Sequence, residues 1–154
     1  MHKKVSIWTD GACSCNPGPG GWAAILNYKG VIKEISGGEP STTNNVMEIR
    51  AVIEGLNALR EKCEVTLYSD SAYVVNAINE GWLKNWINCG FKTAANKPVK
   101  NRELWETLYG LLNKHDVQFV KVKGHADNEF NNRCDKLARD EIVKLSLKQS
   151  PLRK

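Results

Sequence analysis

Asp10 and Asp70 are the first residues whose type and position suggest chemistry. Each follows a short apolar segment with the alternating spacing of a β-strand, and the carboxyl ends of strands in open α/β sheets commonly form ligand sites. Each also has a purely structural explanation, because Asp10-Gly11 is a turn signal and Asp70-Ser71 can cap a helix. Taken singly, either aspartate favours the structural explanation.

Glu48 and Asp135 change this balance because they lie on the apolar faces of predicted helices. Apolar or small residues follow Glu48 at i+4, i+7 and i+11, and follow Asp135 at i+3 and i+7. A buried carboxylate without a partner is costly, so such a residue usually binds a cation, a metal or a hydrogen-bond donor. Alternatively, the head of Glu48 reaches water at the first helical turn, and Asp135 pairs with Arg139 or Arg102.

If the four acids converge, their mutual repulsion determines what the site can do. Two unit charges about 4 Å apart repel by roughly 4 kcal/mol at an effective dielectric of about 20. A cluster of four carboxylates therefore needs protons or divalent cations, and all-oxygen ligands favour Mg²⁺ or Mn²⁺ over zinc. Two such ions can activate a water and stabilise the leaving oxygen in phosphodiester cleavage. These residues predict a metal-dependent nuclease.

The positive charge of the chain is concentrated in one segment. The chain has 22 Lys and Arg against 17 Asp and Glu, a net charge of +5, which suggests a polyanionic partner. Basic and aromatic residues alternate over 81–105: Lys84, Lys92, Lys97, Lys100 and Arg102 with Trp82, Trp86, Phe91 and Trp105. Such a segment suits nucleic acid, although its tryptophans can instead form a small core beneath a solvated basic face, as we expect for Trp105.

The elements that must position these residues are predicted from periodicity. Strands are expected at 5–10, 22–28, 31–36, 65–70 and 117–122, and helices at 47–59, 72–79, 102–114 and 131–145. Three consecutive strands followed by alternating helices and strands predict an α/β fold. Its mixed five-stranded sheet has three antiparallel strands, then parallel ones, and is flanked by helices. We expect one domain over 1–145 and a polar, frayed tail over 146–154.

The remaining composition bounds the class of protein. No apolar run approaches the ~18 residues that span a bilayer, and no signal peptide is visible. We therefore expect a cytoplasmic monomer without a membrane partner, with its five cysteines reduced. A zinc site of Cys13, Cys15 and His125 is a weaker alternative, because C-x-C without a second pair lacks zinc-finger spacing.

Five motifs in order resemble the ribonuclease H type 1 family. They are TDGACSCNPGPGGW, TTNNVMEIRAVIEGL, LYSDSAYVVNAI, GFKTAANKPVKNRELW and VKGHADNEFNNRCDKLA. The resemblance extends from Lys4 to about Ile142 and implies a ribonuclease H-like fold. Each motif alone is moderately specific, whereas five with matching intervals are a strong signal.

The resemblance implies roles for the acids and for one histidine. Asp10, Glu48, Asp70 and Asp135 would be the metal-binding catalytic acids, and His125 would assist proton movement or product release, a role suited to a pKa near neutrality. The implied reaction is endonucleolytic hydrolysis of the RNA strand of an RNA–DNA hybrid, leaving a 3′-hydroxyl and a 5′-phosphate. The implied cofactor is Mg²⁺, with Mn²⁺ as a substitute and two ions when substrate is bound.

The resemblance also implies contacts to the RNA strand. The glycine-rich turn after Asp10 would let the backbone approach the ribose 2′-hydroxyl, which both donates and accepts hydrogen bonds. The candidate contacts are Cys13, Asn16, Asn44, Asn45 and Glu48. Asn44 and Asn45 are alternatively simple helix caps. Cys15 departs from the family pattern, in which glycine is common at this position.

Contacts to the DNA strand are implied for a second region. The segment 81–101 resembles the basic protrusion of the family, in which lysines bind phosphates and aromatic faces pack on sugars or bases. The candidates are Trp82, Trp86, Lys92, Lys97 and Lys100, and Thr43 is a further candidate for a DNA phosphate. The segment 129–132 is less acidic than in the bacterial members it resembles.

Two other functions fit the same motifs. One is a hybrid-binding module that has lost catalysis, which the presence of all four acids argues against. The other is a nuclease or integrase-like enzyme of the same fold that cuts DNA. The segment 42–45 and the full basic protrusion favour hybrid cleavage over this second alternative.

Overall fold

A single mixed sheet organises the chain. A computed structural model describes residues 3–15, 17–92, 100–122 and 129–149. Its strands are β1 (Lys3–Cys13), β2 (Gly18–Tyr28), β3 (Val31–Thr42), β4 (Cys63–Ser69) and β5 (Asp116–Lys121), in the spatial order β3-β2-β1-β4-β5. Strands β1, β2 and β3 pair antiparallel, whereas β4 pairs parallel with β1 and β5. The predicted mixed sheet is confirmed.

Helices cover both faces of this sheet. They are α1 (Asn44–Asn57), α2 (Ala72–Asn79), α3 (Trp82–Asn88), α4 (Arg102–Lys114) and α5 (Glu129–Gln149). The larger core lies between the sheet and α1, with α4 behind it, and includes Ile7, Val52 and Trp105. A smaller core lies under α5, where Ile25 and Cys134 meet. Alternating side chains of β1 and β2 supply the two cores, as a strand buried on both faces requires.

The glycine-rich segment is strand and not turn, which the sequence analysis missed. Strand β2 begins at Gly18, four residues before the expected start, and β3 continues to Thr42 instead of ending near 36. The reason is close packing from both sides. A Cβ on Gly21 would lie 2.0 Å from the carbonyl oxygen of Ala138 in α5, and one on Gly20 would lie 2.4 Å from Cγ2 of Thr42.

Two helix boundaries also differ from those expected. Helix α1 begins at Asn44 because the hydroxyl of Thr43 caps it, accepting from the amide of Val46 at 3.3 Å. Helix α5 runs to Gln149 instead of ending near 145, so 146–149 are helical and not a frayed tail. Leu145 packs on β3 at the start of this extension, because its Cδ1 lies 3.0 Å from where a Cβ of Gly38 would be. In the described part of the chain, no helix is long and apolar enough to cross a bilayer.

Gly21 and Gly110 provide a matched test of this packing. We expect Gly21→Ala to destabilise the protein by ~3 kcal/mol, because the added methyl would clash with the backbone of α5. Gly110 lies exposed inside α4 with open space around it, so Gly110→Ala should stabilise the protein by ~0.5–1 kcal/mol. Urea unfolding of both variants measures these changes, and a neutral Gly21→Ala would contradict the close approach of α5.

Candidate active site and metal centre

Two parallel strands bring Asp10 and Asp70 to the same edge of the sheet. Thr9 of β1 is paired in register with Ser69 of β4, so the residue after each lies at the same level. Asp10 is 5% exposed and remains within β1, and Asp70 directly follows β4. The turn that Asp10-Gly11 suggested is therefore absent, whereas Ser71 does cap α2 by accepting from the amide of Val74 at 3.2 Å.

Gly11 explains how Glu48 reaches these aspartates. A Cβ on Gly11 would lie 2.5 Å from the amide nitrogen of Glu48 and 2.5 Å from the carbonyl carbon of Met47. The backbone of β1 therefore abuts α1 at the point where Glu48 leaves the helix. Carboxylate oxygens of Asp10, Glu48 and Asp70 all lie within 4.8 Å of one another. The sequence analysis took Gly11 for a turn residue, although a glycine directly after a strand-borne acid is also the signal of a close approach.

Asp135 of α5 lies outside this group of three but acts on it through its charge, and it is also paired with arginine. Its negative charge helps to raise the pKa of Asp10, Glu48 and Asp70. Its Oδ2 also forms an ion pair with Nη2 of Arg139 at 2.8 Å. The ion pair with Arg139 is therefore confirmed, whereas a metal-binding role for Asp135 stays a prediction. Arg102, the other partner considered, pairs with Glu106 instead.

Burial and crowding shift the protonation of this cluster. Burial, then the charges of Asp70 and Asp135, raise the pKa of Asp10 to about 8, against the lowering effect of the Gly11 amide, which donates to Asp10 Oδ1 at 2.9 Å. Burial, then the charge of Asp10, raise the pKa of Glu48 well above its usual value. Burial is also the largest cause of the raised pKa of Asp70. Without a cation, the cluster therefore retains protons at neutral pH.

The donor set fits a hard divalent cation. The group consists of carboxylates, the ligands that Mg²⁺ and Mn²⁺ favour. Oε1 of Glu48 is buried and accepts no hydrogen bond from the described residues, as expected of an oxygen that a cation would satisfy. The thiol of Cys13 lies elsewhere, within 3.3 Å of the carbonyl oxygen of Thr42 and 3.4 Å of that of Gly18. Within the described ranges, cysteine does not join a metal-ligating group.

The candidate RNA contacts lie beside the acids along the chain. Thr43 caps α1, and Asn44 and Asn45 are exposed in its first turn, shortly before Glu48. Cys13 ends β1 three residues after Asp10. The cap is therefore Thr43 and not Asn44 or Asn45, and the Thr43 hydroxyl can donate a hydrogen bond while it accepts one. Asn16 and His125 lie outside the described residues.

The basic aromatic segment divides into core and surface. Trp105 is fully buried, and its ring lies 5.4 Å from that of half-buried Trp86 at a tilt of 60°, whereas Trp82 is 38% exposed. The indole of Trp105 donates to the hydroxyl of Tyr73 at 3.2 Å, and the side-chain amide of Asn101 donates to the same hydroxyl at 3.3 Å. The core role expected for Trp105 is confirmed.

The candidate lysines of this segment are at the surface. Lys92 and Lys100 are exposed, on either side of a stretch that includes Lys97 and lies outside the described residues. Their exposure leaves both ammonium groups available to a phosphate backbone.

Comparisons of sequence show which proteins share these features. The family model for RNase H matches residues 2–143. The Ribonuclease H of Chlorobium phaeovibrioides (strain DSM 265 / 1930) is 63% identical over 144 residues, covering 94% of this chain and 99% of the relative. The Ribonuclease H of Thermoanaerobacter sp. (strain X514) is 57% identical over 147 residues, covering 96% and 94%.

Comparisons of structure agree. LC9-RNase H1, described as a type 1 RNase H with the type 2 active-site motif, superposes with a TM-score of 0.84 at 28% identity, covering 94% of this chain and 74% of that one. LC11-RNase H1, solved in complex with RNA/DNA hybrid, superposes with a TM-score of 0.69 at 25% identity, covering 91% and 97%.

The raised pKa of Asp10 makes the stability of the metal-free protein depend on pH. Because the folded state holds this proton more tightly than the unfolded state, the stabilisation is full below about pH 4 and is lost towards about pH 8, by roughly 1.4 kcal/mol per pH unit. Asp10→Asn removes this titration, so the variant should be the more stable protein at about pH 8 in EDTA, by ~2 kcal/mol or more. Urea unfolding at about pH 5 and pH 8 measures the difference, and an advantage that does not grow with pH would contradict the assignment.

Proposed function

The chain belongs to the RNase H family, and from this membership we propose that Asp10, Glu48, Asp70 and Asp135 bind divalent cations for the hydrolysis of RNA in RNA–DNA hybrids. The chain is an endoribonuclease, and its products would carry 3′-hydroxyl and 5′-phosphate ends. The single observation that supports the site is the convergence of carboxylates from β1, α1 and the end of β4 within 4.8 Å.

The acids would act by holding charge in a fixed place. Bound divalent cations, Mg²⁺ or in its place Mn²⁺, supply Lewis acidity that activates a water and stabilises the leaving oxygen. Asp10 and Glu48 would give up their protons when a cation binds, because their raised pKa values come from burial and from neighbouring negative charge. Asp70 and Asp135 are less buried than Asp10 and would face the substrate side of the site. We propose two ions when the hybrid is bound.

Selection for RNA would come from the rim next to Glu48. Asn44 and Asn45 carry amides that both donate and accept, which matches a ribose 2′-hydroxyl in a shallow minor groove. Cys13 and Asn16 would bring the end of β1 and the following backbone to the same groove. His125 would assist proton movement or product release, on the basis of the motif in which it lies.

The DNA strand would bind along the basic protrusion, 81–101. Exposed Lys92 and Lys100, with Lys97 between them, would neutralise phosphates, and Trp82 would pack against sugars. Trp86 would contribute through its exposed edge while the rest of its ring packs against Trp105. Thr43 would donate its hydroxyl to a DNA phosphate. We further propose a monomer that acts in the cytoplasm, with one domain over 1–145.

Cleavage assays test the catalytic assignment. With end-labelled RNA–DNA hybrid and Mg²⁺, we expect Asp10→Asn, Glu48→Gln and Asp70→Asn each to lose about a thousandfold in kcat, because several kcal/mol of charge stabilisation are removed. Glu54→Gln is the matched control, since Glu54 lies on the same helix as Glu48 but pairs with Arg50 at the surface. EDTA should abolish cleavage by the parent protein.

Two outcomes would redirect the assignment. Equal cleavage of double-stranded DNA would favour a DNA-cutting enzyme of the same fold. Hybrid binding without cleavage of any substrate would favour a binding module.

Salt dependence tests the basic protrusion. The double variant Lys92→Ala/Lys100→Ala should raise KM and reduce the slope of log KM against log salt by about 1–2, because each phosphate contact releases roughly one counterion. The control is Lys3→Ala/Lys33→Ala, which removes the same charge near the starts of β1 and β3, at the end of these strands opposite to Asp10. If both double variants changed KM equally, the protrusion would be no more than a solvated face.

A further inference from the structure

Three aromatic rings form a stack on the sheet face that α5 covers. Trp8 of β1 lies in the middle. Its ring is 5.0 Å from that of Tyr68 in β4, nearly parallel at 13°, and 4.5 Å from that of Phe130 in α5. The sequence analysis did not single out these residues, because they are separated by at least sixty positions.

Each ring precedes one of the acids on the same segment of chain. Trp8 lies two residues before Asp10, Tyr68 two before Asp70, and Phe130 five before Asp135. Residues two apart in a strand share a face, so Trp8 and Asp10 both point towards α5. Trp8 and Tyr68 are also direct partners in the β1–β4 register. The stack therefore lies one layer beneath the carboxylates and connects the three segments that carry them.

The connection to α5 matters most, because helix α5 shares no strand hydrogen bonds with the sheet. Its position depends on side-chain contacts. Arg133 pairs with Glu34 of β3 at 2.7 Å, and Ser36 of β3 donates to Glu141 at 2.7 Å. The packing nearest Asp135 involves Trp8. Phe130 contacts the Trp8 ring, and the buried thiol of Cys134 donates to the carbonyl oxygen of Trp8 at 3.2 Å. Cys134 is the residue directly before Asp135.

The charges around Asp135 oppose its position close to the other acids. Asp135 is repelled by Asp10 and attracted by exposed Arg139, which lies one turn further along α5. A divalent cation with strict geometry binds best where its ligands are already held in place. Packing beneath the carboxylates, together with the Arg133–Glu34 ion pair, opposes their separation before a cation binds.

We propose that Trp8, Tyr68 and Phe130 are positioning residues, which hold the segments of Asp10, Asp70 and Asp135 together and thereby set the affinity of the site for divalent cations. This inference rests on the proposed function of the acids. The rings themselves touch neither cation nor substrate. If they serve only as core, their loss lowers stability without a specific effect on cation binding.

Calorimetric titration with Mn²⁺, without substrate, separates these cases. Phe130→Leu should weaken Mn²⁺ binding by about tenfold, as loss of supporting contacts around metal ligands typically does. Tyr68→Leu should have a smaller effect, because the β1–β4 hydrogen bonds also fix Asp70. The conservative variants Phe130→Tyr and Tyr68→Phe should restore affinity to within about twofold of the parent. In cleavage assays the half-saturating metal concentration should rise by the same factor, with KM for the hybrid unchanged.

Tyr28→Leu is the matched control. Tyr28 is half-buried against the larger core at the far end of β2, with Lys3 and Lys29 over its ring. We expect it to lower Tm in EDTA as the ring variants do, with Mn²⁺ affinity unchanged.

Parent-like Mn²⁺ affinity in both Phe130→Leu and Tyr68→Leu, with lowered Tm, would overturn the positioning role and leave the proposed function intact. Failure of the proposed function looks different, since the parent itself would not bind Mn²⁺ or Asp70→Asn would bind it equally well. Should Phe130→Leu not fold, Phe130→Met provides the same comparison.

Discussion

Repulsion among buried carboxylates is the constraint on which the rest of this structure depends. Three carboxylates gather within 4.8 Å of one another, and with the nearby charge of Asp135 their burial raises the pKa of Asp10 to about 8. Nothing in the acids themselves favours this arrangement, so the folded scaffold must supply the free energy that keeps them together. The register of β1 and β4 brings Asp10 and Asp70 together, and Gly11 lets α1 approach β1 at Glu48. Apolar side chains pack beneath the site. A divalent cation would then bind to oxygens that the fold has already brought together.

Glycines, which have no side chain, are as important as the charged residues in building this site. Gly11 allows α1 to touch β1 at Glu48, and Gly21 allows the backbone of α5 to touch β2. Each contact brings one acid-bearing helix towards the central strand from an opposite face. Because these glycines have no side chain, the helices on both sides approach the sheet closely, and this close approach lets the acids converge.

The sequence was sufficient for whatever depends on local pattern. Alternation gave β1 and β4, and their parallel pairing put Asp10 and Asp70 at one edge. Helical spacing identified Glu48 as a carboxylate on an apolar face. Features that depend on distant contacts were missed: Gly18–Gly21 has the composition of a turn but pairs as strand because α5 and Thr42 leave no room for side chains. The contact between the Trp8 and Phe130 rings likewise depends on tertiary packing, which the local sequence pattern does not reveal. The same is true of the extension of α5 beyond 145.

The hydroxyl of Tyr73 links two regions of the proposed substrate-binding surface. It accepts from Asn101 and Trp105 at the start of α4, where the basic protrusion rejoins the core, and it lies three residues after Asp70. One phenol thus ties the base of the basic protrusion to the segment that carries Asp70. On the proposed function, the number of nucleotides between the phosphates bound by the protrusion and the phosphate that is cleaved would be a fixed dimension of the fold. The lysines would determine how firmly the duplex is bound, and the hydrogen bonds of Tyr73 would determine where along it cleavage falls.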